Sequence, residues 1–294
     1  MKAVVLTCDK YHPMANLCIA SYEKHWPQHP FEFLLPYQEA PHPCLSLRQS
    51  DRLKFIQTPK AIVGTMAALL RGIPDDEWVY WCMDDRYVIG MDAVTVRSVY
   101  RQVLALTNDV VSVRLISSRK EQNRLGIEKA RFGESFLVET PGSAGIKYQH
   151  PWLHQFVRAG VLRSLFLSFP REPAYPKEMD YFPHLKQAEQ KVLEVRRTVM
   201  SLGESTSRGK ITANALVAFK QYKIPIPEQF EWDLNKRHFE GQVPLRFCGT
   251  LLHIPQQWRL RWAGVQLRWF GFRPWRGVKG KLPTPIDEEK VNFH

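Results

Sequence analysis

The chain has 294 residues, 44% hydrophobic and 24% charged, a balance that gives one large α/β domain or two small ones a sizeable core and excludes a disordered, collagen-like or coiled-coil protein. Its 41 basic residues against 29 acidic ones leave a formal net charge of +12, which points to an anionic partner: nucleic acid, a phosphorylated ligand or an acidic membrane surface. The five cysteines, Cys8, Cys18, Cys44, Cys82 and Cys248, contain no CxxC pair; this argues against a disulfide framework and fits a reduced, cytoplasmic chain.

Ala3-Val-Val-Leu6 reads as a buried strand. It is too short for a signal-peptide core, and no charge-free apolar run approaches the roughly 18 residues that span a bilayer, so the expectation is a soluble catalytic domain. Pro13 opens a helix through about His25, Pro27 and Pro30 close it, and Phe31 to Leu35 forms a second strand ending at Pro36. This β-α-β opening is the unit of parallel sheets. The proline-rich stretch to Gln57 reads as a loop. Thr58-Pro59 caps a helix whose Ile62, Thr65, Met66 and Leu69 share one face up to Gly72.

Trp78-Val-Tyr-Trp-Cys-Met83 is an apolar run of strand length, stopped by Asp84-Asp85-Arg86. A helix is predicted from Asp92 to Leu106 and a strand carrying Arg114 from Val110 to Ile116. The following stretch to Gly145 reads as polar loop, Trp152 to Phe169 as helix, Leu185 to Val199 as helix, Gly203 to Lys210 as a basic loop, and Ile211 to Tyr222 as a last apolar helix. Ligands of such sheets bind beyond the carboxyl ends of the strands, where Asp9 and Asp84-Asp85 both stand.

A carboxylate at the mouth of a buried strand can hold Mg²⁺ or Mn²⁺ against a diphosphate, and the Arg86 guanidinium can bind phosphate oxygens bidentately. The stretches Ala3-Val-Val-Leu-Thr-Cys-Asp9 and Val79-Tyr-Trp-Cys-Met-Asp-Asp-Arg-Tyr-Val-Ile89 together resemble bacterial GT-A-type glycosyltransferases of the nucleotide-diphospho-sugar transferase superfamily. The resemblance covers about the first 120 residues and extends more loosely to Tyr222. It implies a GT-A-like, Rossmann-like fold, with a mostly parallel sheet flanked by helices, and a UDP-sugar as the favoured donor. Thr7, Asp9, Asp84 and Asp85 inherit donor binding from it, and Asp84 and Asp85 the metal. A DxD signature spaces its carboxylates two apart, whereas this chain has Asp84-Asp85-Arg86; either Asp85 alone ligates the metal directly or Arg86 stands in its place as counter-charge.

The loop Glu172-Pro-Ala-Tyr-Pro-Lys-Glu178-Met-Asp180 resembles the same family's acceptor-side segment, which makes Glu178, then Asp180, the candidate general base. Ser205-Thr-Ser-Arg-Gly-Lys210 offers hydroxyls, a glycine and the cations Arg208 and Lys210 to a diphosphate, without P-loop spacing. The pairs His25/His29 and His150/His154 are interrupted by prolines and lack the HExxH glutamate, so zinc chemistry is not expected. Near the C-terminus, a helical Gln257 to Phe270 would put Trp258, Trp262 and Trp269 on one face with Arg261 and Arg268 beside it. Such a face suits an anionic membrane, single-stranded nucleic acid, or docking onto the catalytic domain or a subunit.

Residues 1–120 thus read as the nucleotide-sugar half, 121–250 as the acceptor half of the same domain, and 251–294 as a basic, tryptophan-rich tail. The expected activity is transfer of a sugar to a glycan or lipid-linked acceptor, at or near the inner membrane face. Two other classes compete. A nucleotidyltransferase should carry a glycine-rich basic loop after its first strand, and Thr7-Cys-Asp-Lys-Tyr-His12 has none; a nucleic-acid-binding protein would leave the carboxylate-ended strand without a purpose.

Overall fold

The structure is a computed structural model that describes residues 1–41, 52–116, 137–139, 152–167, 169, 172–173, 190–196, 199–233, 239–247 and 250–255. The strands are β1 (Lys2–Leu6), β2 (Glu32–Tyr37), β3 (Leu53–Gln57), β4 (Trp78–Met83), β5 (Arg86–Met91), β6 (Val110–Arg114), β7 (Leu137–Glu139), β8 (Gln155–Arg158), β9 (Lys191–Val195), β10 (Met200–Glu204), β11 (Thr206–Ser207), β12 (Lys210–Thr212), β13 (Trp232–Asp233), β14 (Phe239–Phe247) and β15 (Thr250–Pro255). The helices are α1 (His12–His25), α2 (Ile62–Leu69), α3 (Ala93–Leu104), α4 (Ala159–Leu167) and α5 (Ala213–Gln221).

Eight strands form the main sheet in the order β3-β2-β1-β4-β8-β6-β9-β7. The β3-β2, β2-β1, β1-β4 and β6-β9 pairs are parallel, and β8 runs antiparallel between β4 and β6. Alternation along each strand divides its side chains between two cores. Val5, Phe33, Tyr80 and Cys82 pack with α1 and α3, while Val4, Leu34, Val79 and Trp81 pack with α2 and α4. Covering on both faces is why β4 reads as an unbroken apolar run. The α/β architecture expected from the sequence, a mostly parallel sheet flanked by helices, is the one observed.

A second, four-stranded sheet has the order β15-β14-β10-β5. Its strand β5 follows β4 after only Asp84 and Asp85, so these two residues form the crossing between the sheets. Helix α1 lies under β5, and its outer residues Met14 and Leu17 join a third cluster with Tyr87 and with Ala215 and Phe219 of α5. Eleven consecutive residues of α1, His12 to Tyr22, are buried.

Several elements differ from the sequence reading. The stretch read as loop up to Gln57 ends in edge strand β3, with Lys54 exposed as edges require. Strand β2 continues through Pro36, whose missing N–H falls beyond the ladder with β1, which ends at Leu34. Helix α2 begins at Ile62 rather than at Thr58-Pro59: the Thr58 N–H still bonds Tyr37 O at 2.9 Å, and Thr65 N–H bonds Ala61 O at 2.8 Å. Within Trp152 to Phe169, residues 155–158 are a strand, because the gap between β4 and β6 takes a short buried run that periodicity alone cannot separate from helix. Likewise Lys191–Val195 is strand β9, and Leu137–Glu139 is a strand inside the stretch read as loop. The helices at α1, α3 and α5 fall where expected, the last two capped by Asp92 and Thr212.

Candidate active site

The site is built at the carboxyl ends of β1 and β4. Asp84 continues β4 for one more bond, its N–H reaching Leu6 O at 3.3 Å. From the other side Ser205, after β10, donates its N–H to Asp85 O at 2.8 Å and its hydroxyl to Asp84 O at 3.4 Å. Thr212 in turn donates its N–H to Ser205 O at 3.0 Å and its hydroxyl to Glu204 O at 2.7 Å. The acid pair is therefore held between the last turn of β1 and the start of the β11-β12 hairpin.

The two carboxyls differ. Asp84 is pushed up to about 8 by desolvation and by the neighbouring Asp85 charge, against which a hydrogen bond from the Thr7 hydroxyl pulls down. Asp85 is more open, with 40% of its side chain exposed. Because the folded pKa of Asp84 lies above the ordinary 3.8, the folded chain binds the extra proton between about pH 4 and pH 8, and stability falls as pH rises through that window. Asp84→Asn removes this cost. At pH 8.5 it should be more stable than wild type by about 1–2 kcal/mol, discounted for the partial exposure of the residue, and the two should converge near pH 4.5; thermal unfolding at both pH values checks this.

Asp9 lies in a short 3₁₀ turn after β1. Its Oδ1 accepts from the Gln38 N–H at 2.8 Å and its Oδ2 from the Glu39 N–H at 2.7 Å. These bonds tie the end of β1 to the end of β2 and hold the carboxyl below its usual range despite desolvation. Arg86, expected to face phosphate, places Nη1 2.8 Å from Glu204 Oε1 and Nε 3.8 Å from Asp85 Oδ1. Lys210 pairs with Glu231 at 2.5 Å.

The segment Ser205 to Lys210, read as a loop, is a hairpin turning on Arg208 (φ 52°) and Gly209 (φ 76°), with Ser207 opposite Lys210. Two consecutive left-handed residues make the tight turn that suits strand twist, and glycine supplies the second at no steric cost. A methyl group added to Gly209 would lie 4.0 Å from the Tyr11 hydroxyl. Tyr11 is itself raised by desolvation and by the charge of Asp84 and then of Cys8 and Asp85, so Tyr11 neighbours both the hairpin turn and the acid pair. The Tyr11 ring meets Phe230 at 5.2 Å, and Lys10 Nζ lies 5.5 Å from the Phe230 ring.

Thr7, Asp84, Asp85 and Arg86 are thus brought to one edge, and the Arg208-Gly209 turn lies next to Tyr11. Asp9 shares that edge through its backbone ties. Glu178 and Asp180 lie outside the described residues, as do Trp258, Arg261, Trp262, Arg268 and Trp269. Tyr11, Glu204 and Phe230 escaped the sequence reading. The position of Tyr11 just after the first strand was a usable signal, whereas nothing marked Glu204 or Phe230.

Beneath the acids, Cys18, Cys82 and His154 bring their ligand atoms within 4.8 Å of one another. Both ring nitrogens of His154 are engaged: Nδ1 meets the Tyr22 hydroxyl at 2.7 Å, and Nε2 lies 3.1 Å from both the main-chain N and O of Met83. Burial lowers this ring to about 3, so it is a neutral core histidine supporting the residue before Asp84.

No protein-family model matches the chain, and no curated protein matches it. Among solved structures, it resembles residues 1–349 of S. aureus TarS at 14% identity and a TM-score of 0.38, over 68% of this chain and 58% of that one. It also resembles an active-site mutant of LgtC at 12% identity and a TM-score of 0.37. The galactosyltransferase LgtC in complex with donor and acceptor sugar analogues gives 14% and 0.35; both LgtC comparisons cover 88% of this chain and 99% of the other. The chain spans little more than half of the TarS fragment.

Proposed function

We propose that the protein is a glycosyltransferase that moves a sugar from a nucleoside-diphosphate-sugar, with UDP-sugars favoured, to a hydroxyl of a glycan or lipid-linked acceptor in polysaccharide biosynthesis. The observation that carries this reading is the Asp84-Asp85 crossing at the carboxyl ends of β1 and β4. The resemblance of both strand-ending stretches to GT-A-type enzymes supports it. Thr7, Asp85 and the exposed Arg208 are the groups offered to the donor.

Asp84 and Asp85 form a hard-oxygen donor set that suits Mg²⁺ or Mn²⁺, and a proton held on Asp84 is one that a cation can displace. Held by these residues, such an ion would supply positive charge to the departing diphosphate. The acceptor oxygen forms its bond to the anomeric carbon as the bond from that carbon to the diphosphate oxygen breaks. The acceptor proton passes to a carboxylate, for which Glu178, then Asp180, is proposed. Arg208, in charge-assisted contact, stabilises the diphosphate as it leaves.

Among the described residues no helix is long and apolar enough to cross a membrane. Attachment to an anionic membrane surface is assigned to Trp258, Arg261, Trp262, Arg268 and Trp269 of the tail.

A screen of nucleoside diphosphates and nucleotide sugars by thermal shift, with and without Mn²⁺, tests the reading: a uridine diphosphate should raise the unfolding midpoint, and no response to any member of the panel would contradict it. Arg208 gives a sharper test. Asparagine adopts the left-handed conformation more readily than arginine, so Arg208→Asn should leave stability unchanged or raise it by about 0.5 kcal/mol while weakening UDP binding about tenfold, the scale of one charge-assisted contact. Titration calorimetry beside thermal unfolding measures both.

A further inference from the structure

We infer that Glu204 is a positioning residue of the donor site, acting through Arg86 on Asp85. This rests on the donor-site reading above and deepens it. Glu204 ends β10 directly across the antiparallel ladder from Arg86, which begins β5. Their side chains are 17% and 12% exposed, and Nη1 to Oε1 is 2.8 Å. Arg86 also turns Nε toward Asp85 Oδ1 at 3.8 Å.

A guanidinium is a rigid planar fork, so fixing one of its nitrogens fixes the direction of the rest. Without Glu204 the Arg86 fork would lose one anchor and regain part of its rotamer freedom, and the 40% exposed side chain of Asp85 would have a less fixed neighbour. The backbone reports the same dependence. The residue after Glu204, Ser205, donates to the carbonyls of both acids, and Thr212 donates to the carbonyls of Glu204 and Ser205. One short segment at the end of β10 thus bonds the main chain of both acids and, through Arg86, reaches the side chain of Asp85. The Arg86 charge is spent on this framework, so cationic contact with the donor falls to the hairpin tip.

The test is a double-mutant cycle on the full chain, read as the dissociation constant for UDP by titration calorimetry, with thermal unfolding in parallel. Glu204→Gln should weaken UDP binding about tenfold, and Glu204→Asp, which keeps the charge but shortens its reach, about threefold. In an Arg86→Met background the Glu204→Gln change should add less than about twofold, because its effect has already been removed. A purely structural role would lower the unfolding midpoint and leave the two substitutions additive in binding. Additivity, or unchanged UDP binding in both Glu204 variants, overturns the inference while leaving the donor site standing. A wild-type chain that binds no nucleoside diphosphate overturns both. If Glu204→Gln does not fold, the Glu204→Asp cycle decides.

Discussion

Asp85→Asn is expected to lower sugar transfer and donor hydrolysis at least about a hundredfold, the cost of removing one preorganised charge from a reacting centre, with little change in stability. The reasoning turns on the difference between the two acids. Asp84 is bonded by Thr7 and pushed up by burial and by its neighbour, while Asp85 is the more open carboxylate at the crossing. Its side chain is 40% exposed and its contact with Arg86 is 3.8 Å long, an ion pair worth about 1 kcal/mol at most. Losing it should move the unfolding midpoint by less than about 4 °C in a chain of this size. Steady-state kinetics and thermal unfolding on the same preparation separate the two effects.

The largest stability effect should come from a residue remote from the chemistry. Arg158, at the end of β8, donates from Nε to Val110 O at 3.3 Å, from Nη1 to Asp76 O at 2.5 Å, and from Nη2 to Leu106 O and Thr107 O at 2.9 and 3.2 Å. Its guanidinium also stacks 4.0 Å from the centre of the Trp78 ring. One residue, 8% exposed, therefore satisfies four carbonyls from two connections, the turn leading into β4 and the link from α3 into β6. Arg158→Met keeps much of the volume and removes every donor. It should cost about 3–5 kcal/mol, since buried acceptors without partners are expensive, and lower the unfolding midpoint by about 10 °C. UDP binding in the fraction that remains folded should be unchanged.

What the sequence could reveal follows from where its signals are local. Strand β4 was legible because a run buried on both faces has no polar interruption until Asp84. Helices α3 and α5 were legible because Asp92 and Thr212 are caps whose bonds lie within three residues. Strands β8 and β9 were not, because short runs of Gln155-Phe-Val-Arg158 type carry no distinguishing period, and the slot between β4 and β6 decides their form. The same division applies to the candidate site. Asp84 and Asp85 announce themselves by ending an apolar strand. The role of Glu204 depends on a pairing between β10 and β5 that spans 118 positions from Arg86, and no motif records such a pairing. Arg208 was found for its charge, while the backbone conformation that presents it needed the hairpin to be seen.

The most direct measurement of the account is release of nucleoside diphosphate from a panel of nucleotide sugars, followed for the wild-type full chain and for Asp85→Asn under identical conditions with Mn²⁺ present. The donor-site account predicts turnover of at least one UDP-sugar by wild type and a loss of at least about a hundredfold in the variant, with the unfolding midpoint moved by less than about 4 °C. Equal release by the two proteins, or none by the wild type with any member of the panel, would contradict it.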